Sequence, residues 1–368
     1  MLRVWEIFLL FFWVGRVELL ELKICILILG QVLMPLKARI IGTGSYLPER
    51  VLTNQDLEKM VETTDEWISS RTGMKERRIA AEDEFTSDMG YKAALAALEN
   101  AEIEADQIDL ILVATLTPDH AFPSSACMIQ HRLGAIKSAA FDVQAACTGY
   151  VYGLAIAKAF IESGLYKNVL MVAAEKLSSI IDYTDRNTCI LFGDGASACV
   201  VTSESGKKKN LWIRDISLGS DGELSNLLIL PAGGSRLPAS AKTISEGLHY
   251  LKMEGKEVFK HAVRRMESSC KECIDRVGLS EKDVSWLVPH QANTRIIEAI
   301  AKRFQIPMEK VFLTIHKYGN TSSSALGIAL DELLKEKPIL QGENILITAF
   351  GSGLTWGSAI LTMENAND

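Results

Sequence analysis

The sequence predicts an α/β protein built from two similar βα halves stacked in layers, and three observations carry that prediction. From Lys37 onward, short apolar runs alternate with amphipathic helical stretches, the signature of strand and helix layers. The order of elements in the first half recurs in the second. Polar patches around Cys147, His290 and Asn320 fall at the same edge of the repeated units, and strand ends are where α/β folds bind ligands.

The elements follow in order. Residues 1–36 do not match the rest: Ile7 to Gly15 and Ile24 to Leu36 are apolar runs separated by Arg16, Glu18, Glu21 and Lys23. Each is shorter than the ~20 residues of a membrane-spanning helix. Glu6 sits where a secretory signal is positively charged, and no clear small-residue cleavage site follows. An over-extended start, with the natural N-terminus near Met34, is the preferred account, and a peripheral membrane anchor is the second. No stable membrane insertion is expected.

The first half spans 37–210 and the second 211–368. Ala105 to Thr115 reads as a helix end and an Asp-containing turn feeding a buried strand, and Glu281 to Val288 repeats it. A strand-like stretch then stops at Cys147, which opens an Ala/Leu/Ile-rich helix, while Asn320 precedes a helix over Ser324 to Leu334. Lys167 to Ala174 and Glu343 to Phe350 are strands, and Gly193-Asp194-Gly195 and Gly351-Ser352-Gly353 are tight turns rather than dinucleotide fingerprints. Lys207-Lys208-Lys209 reads as a solvated linker between the halves.

Composition narrows the class. At 368 residues the chain exceeds the ~250–300 residues at which single cores stop growing. A net charge of −7 argues against a broad nucleic-acid footprint, though not against a local basic patch. Seven irregularly spaced cysteines do not make a disulfide framework, and reduced thiols place the chain in the cytoplasm. Cys270 and Cys273 form a C-x-x-C inside a helix expected from Glu257 to Val277, with no second pair to complete a zinc site, so no metal is expected.

Cys147 is the residue that points to chemistry. At a helix N-terminus, unpaired N–H groups and the positive end of the macrodipole favour the thiolate. A cysteine, a histidine and an asparagine on separate strand ends or loops are the parts of a thiol-based acyl-transfer site.

The motifs Ala145-Ala146-Cys147-Thr148-Gly149, Pro289 to Asn293, Tyr318 to Ala325 and Thr64 to Gly73 resemble those of the thiolase-fold condensing enzymes. Within them the chain is most similar to the β-ketoacyl-acyl carrier protein synthase III family, over essentially Lys37 to Met363. The resemblance implies a thiolase-like fold with α-β-α-β-α layering. It also implies a homodimer and no bound cofactor, the substrates being thioesters on CoA and phosphopantetheine. Asn320 in the third position, and no cysteine in the loop Phe350 to Gly353, set the chain apart from elongating Cys-His-His enzymes and degradative thiolases. Hydroxymethylglutaryl-CoA synthase and polyketide or long-chain condensing enzymes share Cys-His-Asn and stay open as alternatives. So does a relative that takes its extender from CoA, or a non-catalytic scaffold.

The reaction implied starts a fatty acid. Cys147 attacks an acyl-CoA, most simply acetyl-CoA, to give an acyl-enzyme. A malonyl-acyl carrier protein then loses CO₂, and its enolate attacks the acyl group. Backbone N–H groups of Cys147 and Ser352 hold the oxyanion, each such donor being worth ~10²–10³ in rate. His290 Nε2–H and the Asn320 amide hold the enolate. The resemblance further implies that Trp67 and Arg186 sandwich the CoA adenine, Arg71 meets a phosphate, Asn293 meets pantetheine, and Phe122 crosses the dimer interface into the partner's acyl pocket. Lys260, Arg264, Arg295, Lys302 and Arg303, on two helices of the second half, are the expected contacts for an acidic acyl carrier protein.

Overall fold

The computed structural model describes residues 36–208 and 210–365; the apolar runs up to residue 35 and Lys209 lie outside them. Thirteen strands are described: β1 (Arg39–Tyr46), β2 (Arg50–Thr53), β3 (Glu76–Ile79), β4 (Leu110–Ala114), β5 (Ala139–Val143), β6 (Asn168–Glu175), β7 (Gly195–Thr202), β8 (Asn210–Ser220), β9 (Leu228–Ile229), β10 (Lys252–Met253), β11 (Val284–Pro289), β12 (Asn344–Gly351) and β13 (Thr355–Glu364). The longer helices are α1 (Asp65–Thr72), α2 (Thr86–Ala101), α3 (Ser125–Leu133), α4 (Gly149–Glu162), α5 (Gly255–Arg276), α6 (Thr294–Arg303) and α7 (Ser324–Glu336).

Nine strands hydrogen-bond in the order β11-β12-β13-β8-β1-β7-β6-β4-β5. The join between β1 and β8 is narrow, with only Arg39 opposite Trp212 and Ile40 opposite Leu211. Strands β4, β6, β7 and β12 bury both faces, and their residues divide by the period-two alternation of a strand. In β4, Leu110, Leu112 and Ala114 pack into a central cluster, while Ile111 and Val113 pack outward. In β12, Ile345, Ile347 and Ala349 join the same central cluster and Leu346 and Phe350 point the other way.

That central cluster is where α4 and α7 sit, with Tyr150, Leu154 and Ile161 from one and Leu326, Leu330 and Leu333 from the other. Helix α2 covers the outer face of the first set of strands through Ala93, Ala94, Ala97 and Ala101. Helices α5 and α6 cover the outer face of the second through Val263, Met266, Ile297 and Ile300. The layering is therefore α-β-α-β-α, the thiolase arrangement. A fourth cluster, with Leu57, Ile68, Met74, Ile190 and Ile315, caps one edge of the layers. It carries the small β2–β3 ladder and helix α1, and Trp67 and Arg71 of that helix line one side of the site.

Two local details differ from the expectations. The strand before Cys147, β5, ends at Val143, and a 3₁₀ turn over Ala146–Thr148 intervenes before α4 begins at Gly149. Ala146 takes a left-handed φ of 45°, so the backbone turns sharply to feed the helix. Lys207 and Lys208 are not simply solvated; both pair with Glu102, at 3.2 and 2.9 Å.

Candidate active site

Cys147, His290 and Asn320 line one cavity of about 860 Å³ at the edge of the layers. Cys147 enters it from the turn before α4 and is only 6% exposed. Its backbone is locked from below: Thr355 Oγ1 donates to Ala145 O at 3.3 Å and lies 2.8 Å from Thr148 Oγ1. The end of β12 presses against it from the side. A Cβ on Gly351 would sit 2.8 Å from Cys147 N, so only glycine lets that strand end approach. His290 follows β11 directly, its N–H bonded to Thr348 O at 2.7 Å.

Asn320 precedes α7 by a short turn. Its side-chain oxygen accepts from Ser322 N at 2.8 Å, which turns the amide so that its N–H₂ is left as a donor. The backbone is hung on a neighbouring segment: Asn320 N donates to Leu191 O at 2.9 Å and Gly193 N to Asn320 O at 3.1 Å. Leu191 and Phe192 also line the cavity, and sequence reading missed both because nothing local marks them.

The electrostatics depart from the expected thiolate. Burial pushes the Cys147 thiol up to about 12; the Ser322 hydroxyl and the Asn320 amide work against that rise, and the Glu175 charge adds to it. Glu175 is itself fully buried and its carboxyl is raised by burial. Its Oε2 accepts from Thr117 Oγ1 at 2.8 Å and Leu116 N at 3.0 Å, and its Oε1 from Ser323 Oγ at 2.8 Å. Burial also drives His290 down to about 4, and neither ring nitrogen has a hydrogen-bond partner. Burial thus favours a neutral thiol and a neutral imidazole in the pocket.

The outer cavity is built from α1, α5 and α6. Trp67 and Arg71 lie on α1, and the Arg71 and Arg186 guanidiniums are each 4.9 Å from the Trp67 ring centroid. Arg186 is held there by donating to Glu62 O at 3.0 Å, so it occupies the space that a base between it and Trp67 would take. Asn293 lines the cavity and caps α6, its side-chain oxygen accepting from Arg295 N at 2.9 Å.

Of the expected basic contacts, Lys260 and Arg295 line the cavity mouth. Arg264, Lys302 and Arg303 are exposed outside that lining, and Arg303 is paired with Glu267 at 2.7 Å. Lys252 and Lys256 line the mouth as well and escaped sequence reading. Phe122 is far from buried, at 86% exposed. Ser352 follows the strand end at Gly351 and spends its hydroxyl on Leu228 O. Cys270 and Cys273 are buried in α5, where the Cys273 thiol donates to Ser358 O at 3.2 Å.

A five-layered fold with a cysteine at the mouth of its central helix, facing a histidine and an asparagine, defines the condensing enzymes of the thiolase class. Residues 141–222 match the model of 3-Oxoacyl-[acyl-carrier-protein (ACP)] synthase III, and residues 274–363 match that of its C-terminal part. The chain is 60% identical to the beta-ketoacyl-[acyl-carrier-protein] synthase III of Chlamydia caviae, over 88% of this chain and 96% of that one. It is 53% identical to the enzyme of the same name from Caldanaerobacter subterraneus, over 88% and 97%. The crystal structure of 3-oxoacyl-[acyl-carrier-protein] synthase III from Aquifex aeolicus superposes with a TM-score of 0.80 at 49% identity, covering 88% of this chain and 99% of that one. This chain belongs to the β-ketoacyl-[acyl-carrier-protein] synthase III family, acyltransferases of the condensing type.

Proposed function

We propose that the protein starts fatty-acid synthesis by joining a short acyl-CoA, acetyl-CoA first, to malonyl-acyl carrier protein, through an acyl group carried on Cys147. The observation that carries this reading is the convergence of Cys147, His290 and Asn320 on one cavity that opens past Trp67 and Arg71.

In the first half-reaction, the Cys147 sulfur attacks the thioester carbonyl as its proton leaves, His290 being the neutral base that lines the same space. The N-terminal turn of α4 and the end of β12 supply backbone donors for the oxyanion, at Cys147 and Ser352. CoA thiol departs. In the second, C–C cleavage of the malonyl group releases CO₂ and leaves an enolate, which His290 Nε2–H and the Asn320 amide hold while its carbon attacks the acyl carbonyl. The Cys147 thiolate is then expelled and takes a proton from solvent, its first one having left on the CoA thiol. Both donors are neutral, so neither surrenders a proton to the enolate they hold.

CoA enters between Trp67 and Arg186 once Arg186 swings off the ring, with Arg71 at a phosphate and Asn293 at pantetheine. The acidic carrier protein docks on the mouth at Lys252, Lys256, Lys260 and Arg295, with Arg264, Lys302 and Arg303 as an outer ring of positive charge. The protein works as a homodimer and without a cofactor. Supporting the dimer, β5 is an open edge of the sheet, and Phe122 and Ile136 beside it are 86% and 82% exposed. Exposed edges and apolar patches of this kind call for a cover.

Mass spectrometry of the protein after exposure to a panel of acyl-CoAs tests the reading. An adduct should accumulate on the Cys147 peptide, with the acetyl group among the fastest, and none should form on Cys147→Ala. Malonyl-acyl carrier protein, and not malonyl-CoA, should discharge it. An adduct on another peptide would overturn the nucleophile, and equal use of malonyl-CoA would overturn the carrier.

A further inference from the structure

We propose that Arg77 is a positioning residue for the condensation half-reaction: its guanidinium holds the Ile190–Phe192 strap from which the backbone of Asn320 is hung. The proposal rests on the reading of Asn320 as an enolate donor.

Arg77 lies on β3 and is completely buried. Burial lowers its pKa to about 10, and the nearest helping carboxylate, Asp65, acts on it only weakly. A buried cation costs several kcal/mol unless its donors are satisfied, so the partners of this one matter. They are neutral. Nε donates to Ile190 O at 2.9 Å and Nη2 donates to the same carbonyl, while Nη1 donates to Asn54 Oδ1. Asn54 is equally buried and is fixed in turn by donating to Asp65 Oδ1 at 2.6 Å and Met74 O at 2.9 Å.

The next carbonyl along the strap is the one that Asn320 uses. Leu191 O accepts from Asn320 N, Gly193 N donates to Asn320 O, and Phe192 and Asn320 form an isolated parallel bridge. The turn leading into Asn320 passes directly over the Arg77 stem. Gly319 has φ 63°, and a Cβ there would lie 2.9 Å from Leu191 O and 3.0 Å from Arg77 Cγ. Arg77 therefore grips the strap on one side of Asn320 and fills the floor beneath the turn on the other. The supports of Cys147 are different ones: Thr148, Thr355 and the end of β12. Loosening Arg77 should move the enolate donor and leave the nucleophile in place.

Lysine at this position keeps the charge and loses the fork that spans Ile190 O and Asn54 Oδ1. The test measures the two half-reactions separately in Arg77→Lys, Asn320→Ala and the double variant. Acylation of Cys147 by acetyl-CoA is read by quenched mass spectrometry, and condensation by mixing preformed acyl-enzyme with malonyl-acyl carrier protein. In Arg77→Lys, acylation should stay within about twofold while condensation falls about tenfold or more, a part of what removing a whole donor costs. The double variant should be no slower in condensation than Asn320→Ala alone, because residues acting through one group are not additive.

Parallel loss of both half-reactions, unchanged condensation, or additive losses in the double variant would each overturn the proposal. If Asn320→Ala itself slows both halves equally, the reading of Asn320 fails and takes this one with it. If Asn320→Ala is selective and Arg77→Lys is not, only the role of Arg77 fails. Should Arg77→Lys not accumulate as folded protein, Asn54→Ala carries the same comparison, since it leaves the guanidinium but removes the acceptor that orients it.

Discussion

At His290 the proposed chemistry and the stability of the fold meet in one residue. Its imidazole is buried with both nitrogens unpartnered, and burial lowers its pKa from 6.5 to about 4. The unfolded chain takes up this proton near 6.5 and the folded one only near 4. Between those values the unfolded state binds more protons, so stability falls as the pH drops through that window and is fully present above it. The total effect is on the order of 3 kcal/mol. In thermal unfolding followed from pH 7 to pH 4, His290→Gln should therefore show a shallower loss of Tm than the parent. Identical slopes would mean that the imidazole is not held neutral by burial. The cost of hiding a bare imidazole is the counterpart of the neutral donor proposed for the enolate.

At the scale of an element, the meeting of β12 with the entry to α4 decides where the sulfur sits. Gly351 closes β12, and a methyl group there would lie 2.8 Å from Cys147 N and 3.2 Å from Thr148 N. Both neighbours are backbone at the start of a helix and cannot rotate away. Gly351→Ala should therefore push the turn over Ala146–Thr148 outward, slowing acylation of Cys147 by at least about tenfold, with a stability loss of about 1–3 kcal/mol from overpacking. Quenched mass spectrometry and thermal unfolding read the two effects. Acylation at the parent rate would show that this junction does not place the nucleophile.

Across the whole molecule, the described residues from Lys37 onward form a compact unit by their own contacts. The first and last strands of that unit are tied together: Glu364 on β13 accepts from Lys37 Nζ at 2.6 Å and from Arg39 Nε at 2.7 Å. The Arg39 pair is about nine-tenths buried on both sides, so it is shielded from the screening that empties surface pairs of their worth. A chain that starts at Met34 keeps both partners of this clasp and every described strand. It should unfold within a few degrees of the full chain and form the Cys147 acyl adduct at the same rate. A large loss of either on deleting residues 1–33 would show that the apolar runs serve the folded unit.

Much of this was legible in the sequence because it is written locally. Short, near-continuous apolar runs marked the strands that became β4, β6, β11 and β12, the last residues of β6 and β12 to within one position, since a strand between two helix layers must be apolar on both sides. Cys147, His290 and Asn320 announced themselves because each sits in a short polar patch at the end of such an element. The tertiary structure decided what those groups are worth. A helix N-terminus alone favours a thiolate, yet the thiol of Cys147 is pushed up instead, because groups from distant parts of the chain, Phe350 and Gly351 among them, bury it and the Glu175 charge adds to the rise. The same holds for Arg186, which closes on Trp67, for Lys252 and Lys256 at the cavity mouth, and for Arg77 beneath Asn320. Desolvation and pairing depend on neighbours far apart in sequence, and only the folded chain brings them together.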